Sequence, residues 1–180
     1  MIPVLETSRL VLRGHRPDDF DASAAMWADP AVVRFIQGTP QTAEQSWQRF
    51  LRYAGHWAMV GYGYWVVAAK DDGRFMGEVG FADYRRALSV DVTGIPEAGW
   101  VLASHAHGQG LAVEAMTAAL SWIDKRFPRT FALFDPAHAA SMRVAGKLGF
   151  ADPREIDFDG APAVTLWRDR PEPPSGAAAP

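Results

Sequence analysis

The chain has 180 residues and a mass of 19.7 kDa, the bulk of one domain, and its 48% hydrophobic and 22% charged residues exclude a disordered or collagen-like chain. It contains no cysteine, which excludes disulfides, a cysteine nucleophile, thiolate zinc sites and iron–sulfur clusters. A net charge of −3 leaves no broad basic field for nucleic acid, and the longest wholly apolar runs, such as residues 64–69, are too short to cross a membrane. Glu6 and Arg9 interrupt the apolar core that a signal peptide needs, so a soluble, cytoplasmic domain is expected.

Residues 10–12, between Arg9 and Arg13, read as a short first strand. Pro17-Asp18-Asp19 opens a helix, with proline suited to the first turn and the acids to its positive end; Asp29-Pro30 breaks it. Thr42 followed by Gln45 is a capping-box pattern, and Trp47, Phe50, Leu51, Ala54 and Ala58 then recur at helical spacing. Residues 64–69 are aromatic and β-branched and end at the turn Asp71-Asp72-Gly73; residues 75–81 read as the hairpin partner. Residues 98–102 form another short strand, and residues 85–96 carry no clear pattern. Helical spacing returns from Leu111 to Phe127, and residues 130–134 read as a strand. Asp135 as N-cap and Pro136 at the first position predict a helix running to Leu148 and stopped by Gly149, which puts His138 at its third residue. Late strands are expected near 156–158 and 163–167, and the Pro/Ala-rich residues 171–180 as a disordered tail after a single domain over 1–170.

Paired glycines open the helix after residues 98–102, in the run Leu102-Ala103-Ser104-His105-Ala106-His107-Gly108-Gln109-Gly110-Leu111-Ala112. Such glycines let backbone N–H groups converge on one anion. Val113 stands where a dinucleotide fingerprint needs a small residue, and the Gly-Lys-Ser/Thr of a P-loop is absent. Glu114 reads as a first-turn acid favoured by the helix dipole. His105, His107 and His138 have no carboxylate at a matching spacing, and no metal is expected.

The run His107-Gly108-Gln109-Gly110-Leu111-Ala112 resembles the pyrophosphate motif of the GNAT acyltransferases, Arg/Gln-x-x-Gly-x-Gly/Ala. Leu5-Glu6-Thr7-Ser8-Arg9-Leu10-Val11-Leu12-Arg13, then Pro17-Asp18-Asp19 and Asp29-Pro30, resemble the opening of the RimJ/RimL-like branch. Met76-Gly77-Glu78-Val79-Gly80 resembles its third strand, and Ser141-Met142-Arg143-Val144-Ala145-Gly146-Lys147-Leu148-Gly149-Phe150 its last helix. The matches keep the family's order over residues 5–168.

The resemblance implies an α/β fold: a mixed, mostly antiparallel seven-stranded sheet splayed between its fourth and fifth strands and flanked by helices. It implies an N-acetyltransferase that moves the acetyl group of acetyl-CoA to a primary amine, of a protein N-terminus or a small molecule, by direct attack in a ternary complex. Backbone groups of Leu102, Ala103 and Ser104 would pair with the pantetheine arm, and amides of Gly108, Gln109, Gly110, Leu111 and Ala112 would hold the pyrophosphate, with His107 at the first motif position. An amide near Val101 and Leu102 would polarise the thioester carbonyl. The tyrosine that many relatives use to protonate the departing thiolate is replaced by Ala145, and the role passes to Ser141, one turn earlier. Glu97 is the candidate base, with Glu78 as runner-up. His138 stands where the family commonly has the asparagine that meets pantetheine; as a neutral imidazole it would keep one of that amide's hydrogen bonds. Trp57, Tyr62 and neighbouring aromatics, with Glu78, would form the acceptor mouth, where rings could hold a cationic amine. The resemblance leaves a homodimer open. Two alternatives stand beside it: an acyl-CoA-binding module without catalysis, to which Ala145 and His138 lend support, and a transferase restricted to small-molecule amines.

Overall fold

The computed structural model describes residues 1–36 and 38–172, so most of the expected tail, residues 173–180, lies outside the described residues. The first half runs β1 (Leu5–Glu6), β2 (Leu10–Arg13), a 3-10 turn at Pro17–Asp19, α1 (Phe20–Trp27), α2 (Pro30–Val33), α3 (Ala43–Val60), β3 (Tyr64–Ala69) and β4 (Phe75–Ala82). The second half runs β5 (Glu97–Leu102), a 3-10 turn at Ser104–Ala106, α4 (Leu111–Ile123), β6 (Arg129–Phe134), α5 (Ala139–Lys147), β7 (Ala151–Phe158) and β8 (Ala161–Asp169). The strands form one eight-stranded sheet in the order β1-β2-β3-β4-β5-β6-β8-β7. Every neighbouring pair is antiparallel except β5 and β6.

Alternation along the strands sends opposite side chains to the two faces. Trp65, Val67, Val79 and Phe81 bury against Leu111, Ala115, Met116 and Ile123 of α4. Each fully buried side chain of this kind, such as Phe81, contributes roughly 1.5–3 kcal/mol. On the other face α1 to α3 pack over the sheet, with Trp27, Val33 and Ala103 in one cluster and Tyr53, Tyr64 and Ala82 in another. Thr42 caps α3 as expected: its Oγ1 accepts from Gln45 N–H at 3.2 Å and Gln45 Oε1 accepts from Thr42 N–H at 2.9 Å.

Three expectations are corrected. The sheet has an eighth strand, the two-residue β1, folded onto β2 by a turn in which Thr7 N–H donates to Leu10 O at 2.9 Å. Strand β7 begins at Ala151, because the chain passes Asp152 at φ +54° as an irregularity within the strand instead of turning away. Helix α5 begins at Ala139 and not at Pro136. Asp135 Oδ1 accepts from Ala137 N–H at 2.8 Å in a local turn, and His138, with ψ +64°, takes the N-cap position in place of the third helical one.

Candidate active site

β5 and β6 touch at a single aligned pair, Glu97 with Phe131, and then part. Backbone groups of alternate residues along β5 point to opposite neighbours. Ala103 N–H donates to Met76 O at 2.9 Å on the β4 side, whereas Pro96 O accepts from Phe131 N–H at 3.2 Å on the β6 side. By this parity the Trp100 and Leu102 amides face the splay, and the Val101 amide faces β4. Of the two amides named for the single oxyanion donor, Leu102's is therefore the one that faces the splay. The Leu102 carbonyl is already taken, accepting from His107 Nε2 at 2.8 Å, so His107 anchors the loop to the end of β5. Ala103 O accepts from Ala106 N–H and Ser104 O from His107 N–H, and the Ser104 hydroxyl is bound to Asp29. Of the backbone groups expected to meet pantetheine over residues 102–104, the Ala103 amide and the three carbonyls thus have partners within the protein, while the Leu102 and Ser104 amides remain for the arm.

Gly108 and Gly110 both adopt left-handed backbone, φ +74° and +76°, a conformation that side-chained residues rarely adopt. Gly110 is the N-cap of α4 and supplies no side-chain cap, which leaves the amides of the first turn available. Open space surrounds the Cβ position of Gly108. An anion fits this cradle, as a pyrophosphate requires. Below it, Glu114 does more than favour the dipole. Its Oε1 accepts from Thr7 Oγ1 at 2.6 Å, Ser8 Oγ at 3.0 Å and Arg9 N–H at 2.9 Å, and its Oε2 from Arg9 Nε at 2.7 Å. Burial alone would raise this carboxyl, but the bonds from Thr7 and Arg9 win and hold it at about 2. Arg9 Nη1 also donates to Gln109 O at 3.1 Å, tying the β1–β2 turn to the glycine loop.

The opposite wall is α5. Ser141 is buried, and its Oγ lies 3.4 Å from His138 Nε2. Phe35 stacks on the imidazole at 4.8 Å, and burial lowers the His138 pKa, which keeps the ring neutral near pH 7. Both residues line a cleft of about 480 Å³.

The floor of that cleft holds Glu97, buried and bonded on both oxygens by Arg86, Nε to Oε2 at 2.6 Å and Nη2 to Oε1 at 3.0 Å. Burial opposes the charge on Arg86, yet the bond to Glu97 outweighs it and raises the guanidinium pKa. Tyr53 and Tyr64 stack at 4.5 Å beside this pair, and burial pushes both phenols well above the usual range, so they are neutral hydroxyls. Gly99 is glycine because a Cβ there would collide with the Tyr64 hydroxyl.

Of the residues expected at the acceptor mouth, Trp57, Tyr62 and Glu78 do not line this cleft, whereas the neighbouring Tyr64 does. Trp57 packs edge-on to Trp65 and Trp122 on the α4 face and donates Nε1–H to Tyr64 O at 2.8 Å. Tyr62 is buried against Phe127, and burial raises its phenol to about 12. Glu78 is fully buried behind Trp27: its Oε2 accepts from Trp27 Nε1 at 2.9 Å and its Oε1 from Ser23 Oγ at 2.7 Å, with His15 Nε2 at 3.2 Å. The rest of the aromatic lining comes from Trp27, Phe35, Tyr53, Tyr84, Trp100, Phe134 and Phe158, which lie on separate segments of the chain and form no run that a sequence could display.

A splayed parallel pair beside a glycine-capped helix is the geometry the GNAT resemblance implies, and a family model described as "Acetyltransferase (GNAT) domain" matches residues 9–151. The chain belongs to the GNAT acetyltransferase family. This acyltransferase is 33% identical over 153 residues to the Bacillus subtilis (strain 168) protein YkkB, covering 81% of this chain and 83% of YkkB. A solved structure described as a GNAT-family acetyltransferase from Bordetella pertussis is 32% identical, with a TM-score of 0.78 over 92% of this chain and 99% of that one. A Salmonella typhimurium acetyltransferase described as modifying the N-terminal serine of ribosomal protein L7/L12 shares the fold at a TM-score of 0.74 over 94% of this chain and all of that one, at 13% identity. The GNAT family uses acetyl-CoA.

Proposed function

We propose that this GNAT domain is an N-acetyltransferase that joins acetyl-CoA and a primary amine in the β5–β6 cleft and transfers the acetyl group directly. The observation that carries the reading is the parting of β5 and β6 after one pair, with the glycine-capped start of α4 on one side and Ser141 on the other.

Acetyl-CoA supplies the activated acetyl group. The first-turn amides of α4, with Gly108 and Gly110, bind the pyrophosphate through backbone N–H groups and the helix dipole. The Leu102 amide faces the splay, where a thioester carbonyl would lie, and acts as an oxyanion donor needing no side chain. Ser141 supplies a proton to the sulfur, and His138 fixes the Ser141 hydroxyl. Glu97 accepts the amine's proton directly or through water: each of its oxygens keeps a lone pair beyond the one Arg86 occupies. Glu78 is unsuited to that work, since it is fully buried behind Trp27 and does not line the cleft. With no cysteine in the chain, a thiol acyl-enzyme is ruled out, which fits direct attack.

The amine panel for the test spans peptide N-termini, the acceptor type named for the Salmonella enzyme, and small amines. Thiol release from acetyl-CoA that depends on an added amine, with the acetylated amine found by mass spectrometry, is the expected result. Tight acetyl-CoA binding with no release across the panel would instead favour a binding module.

A further inference from the structure

We infer that the acceptor amine carries a carboxylate, and that Arg49 is the residue that reads it. The inference rests on the transferase reading above and concerns the acceptor end of the same cleft.

Three of the aromatic faces that could hold a cationic amine in this cleft are already covered by arginines. The Arg49 guanidinium lies 3.8 Å over Trp27, and Arg86 lies 4.6 Å over Tyr84 and 4.8 Å over Phe158. A second cation has no reason to enter there. Arg86 is neutralised by Glu97, but Arg49 is not matched: it pairs with no carboxylate among the described residues. Its Nε donates to a neutral partner, Gln41 Oε1 at 3.2 Å, and its charge acts on the neutral Tyr53 phenol. A half-buried guanidinium without a counter-charge is a costly group to keep, and its terminal N–H groups, beyond the Nε–H given to Gln41, suit a planar anion.

The support under Arg49 is rigid. Trp27 is fully buried and held by the Glu78 carboxylate at 2.9 Å, and Glu78 is held in turn by Ser23 and His15. The buried Glu78 thus fixes the ring on which the anion-reading guanidinium rests. The cofactor's phosphates do not account for Arg49, because the glycine loop lies outside the lining of this cleft. Beside the exposed Arg34 and Asp135, the cleft therefore offers a buried carboxylate, Glu97, and a half-buried guanidinium without a carboxylate partner, Arg49. That pair suits the two poles of an amino acid or of a peptide N-terminus followed by an acidic side chain, with the anion held by the α3 arginine.

The test compares carboxylate-bearing amines with their carboxamides, for the native enzyme and Arg49→Gln. The native enzyme should favour the carboxylate about ten- to a hundredfold in kcat/KM, the value of one charged hydrogen-bonded contact. In R49Q the preference should vanish while acetyl-CoA affinity stays within about twofold. Equal use of carboxylate and carboxamide by the native enzyme, or an unchanged preference in R49Q, overturns the inference and leaves the transferase reading standing. If no amine is acetylated, the transferase reading fails on its own, and calorimetric titration of the same amine pairs into the CoA-bound protein decides the inference. Tighter carboxylate binding that R49Q abolishes supports it, and equal binding overturns it.

Discussion

Ser141 and His138 face each other across one turn at the start of α5, Oγ to Nε2 at 3.4 Å, with Phe35 stacked against the ring. The contact is long, and it exists because α5 starts late. With His138 at the N-cap instead of inside the helix, its side chain meets the hydroxyl three residues on. The imidazole that sequence alone assigns to the pantetheine arm is thus already engaged with the candidate acid.

Ser141→Ala is expected to lower kcat by about 10²-fold, typical for loss of a general acid, with little change in the acetyl-CoA dissociation constant. Steady-state kinetics with calorimetry checks this. A kcat within twofold of the parent removes Ser141 from the chemistry.

His138→Ala should act through Ser141. The double variant H138A/S141A should be no slower than S141A by more than about twofold, the sign of two residues working as one unit. His138 is neutral at pH 7 because burial lowers its pKa, so its protonation is centred on the acid side of an ordinary histidine. The native rate should hold level from pH 7 through the ordinary histidine range and fall only at more acid pH, and His138→Asn should remove that acid limb. The unfolded chain binds the proton first, so native stability also declines as pH drops through the same window.

Gly110→Trp should abolish acetyl-CoA binding by filling the approach to the α4 amides. Gly110→Ala isolates the backbone effect: at φ +76° a Cβ costs roughly 1–2 kcal/mol, read by urea unfolding, while binding persists. Unchanged affinity in a folded G110W protein refutes the assignment of the loop.

Glu114→Gln should destabilise the fold by about 1–3 kcal/mol at pH 7, because the clamp on Thr7, Ser8 and Arg9 loses its charge. The native carboxyl sits at about 2, below its unfolded value near 4.3. Its contribution is therefore whole above about 4.3 and is lost as pH falls toward about 2. Urea unfolding of both proteins at pH 7, 5 and 3 should show the gap closing with acid; a constant gap would sink the assignment.

Punctuated segments are legible in the sequence. Thr42 with Gln45 marks the start of α3, and Gly108 with Gly110 marks that of α4, because caps and positive-φ glycines act locally. Asp135 misleads because Asp before Pro suits an N-cap and a free-standing turn equally, and ψ at His138 decides for the turn. β1 escapes notice because two residues carry no periodicity. The acceptor walls are illegible for a different reason. Tyr64 and Trp65 are adjacent in sequence but lie on opposite faces of the sheet, so clustering in sequence puts Trp57 and Tyr62 in the cleft when they belong to the core behind it. Glu97 and Ser141 stand out by family position alone. Arg86, Arg49 and Tyr84 leave no signal, since each matters only through partners brought by other strands and helices.

The clamp on Glu114 joins residues 107 positions apart in the chain, Thr7 and Glu114. During synthesis the amino-terminal hairpin emerges first and waits, its hydroxyls and Arg9 without their carboxylate, until α4 is made. Contacts of such separation form late in folding, because a large loop must close before they are rewarded. The nucleotide cradle should therefore be among the last parts of the domain to take shape. A protein shortened by its first nine residues should lose its grip on acetyl-CoA although every glycine of the motif remains.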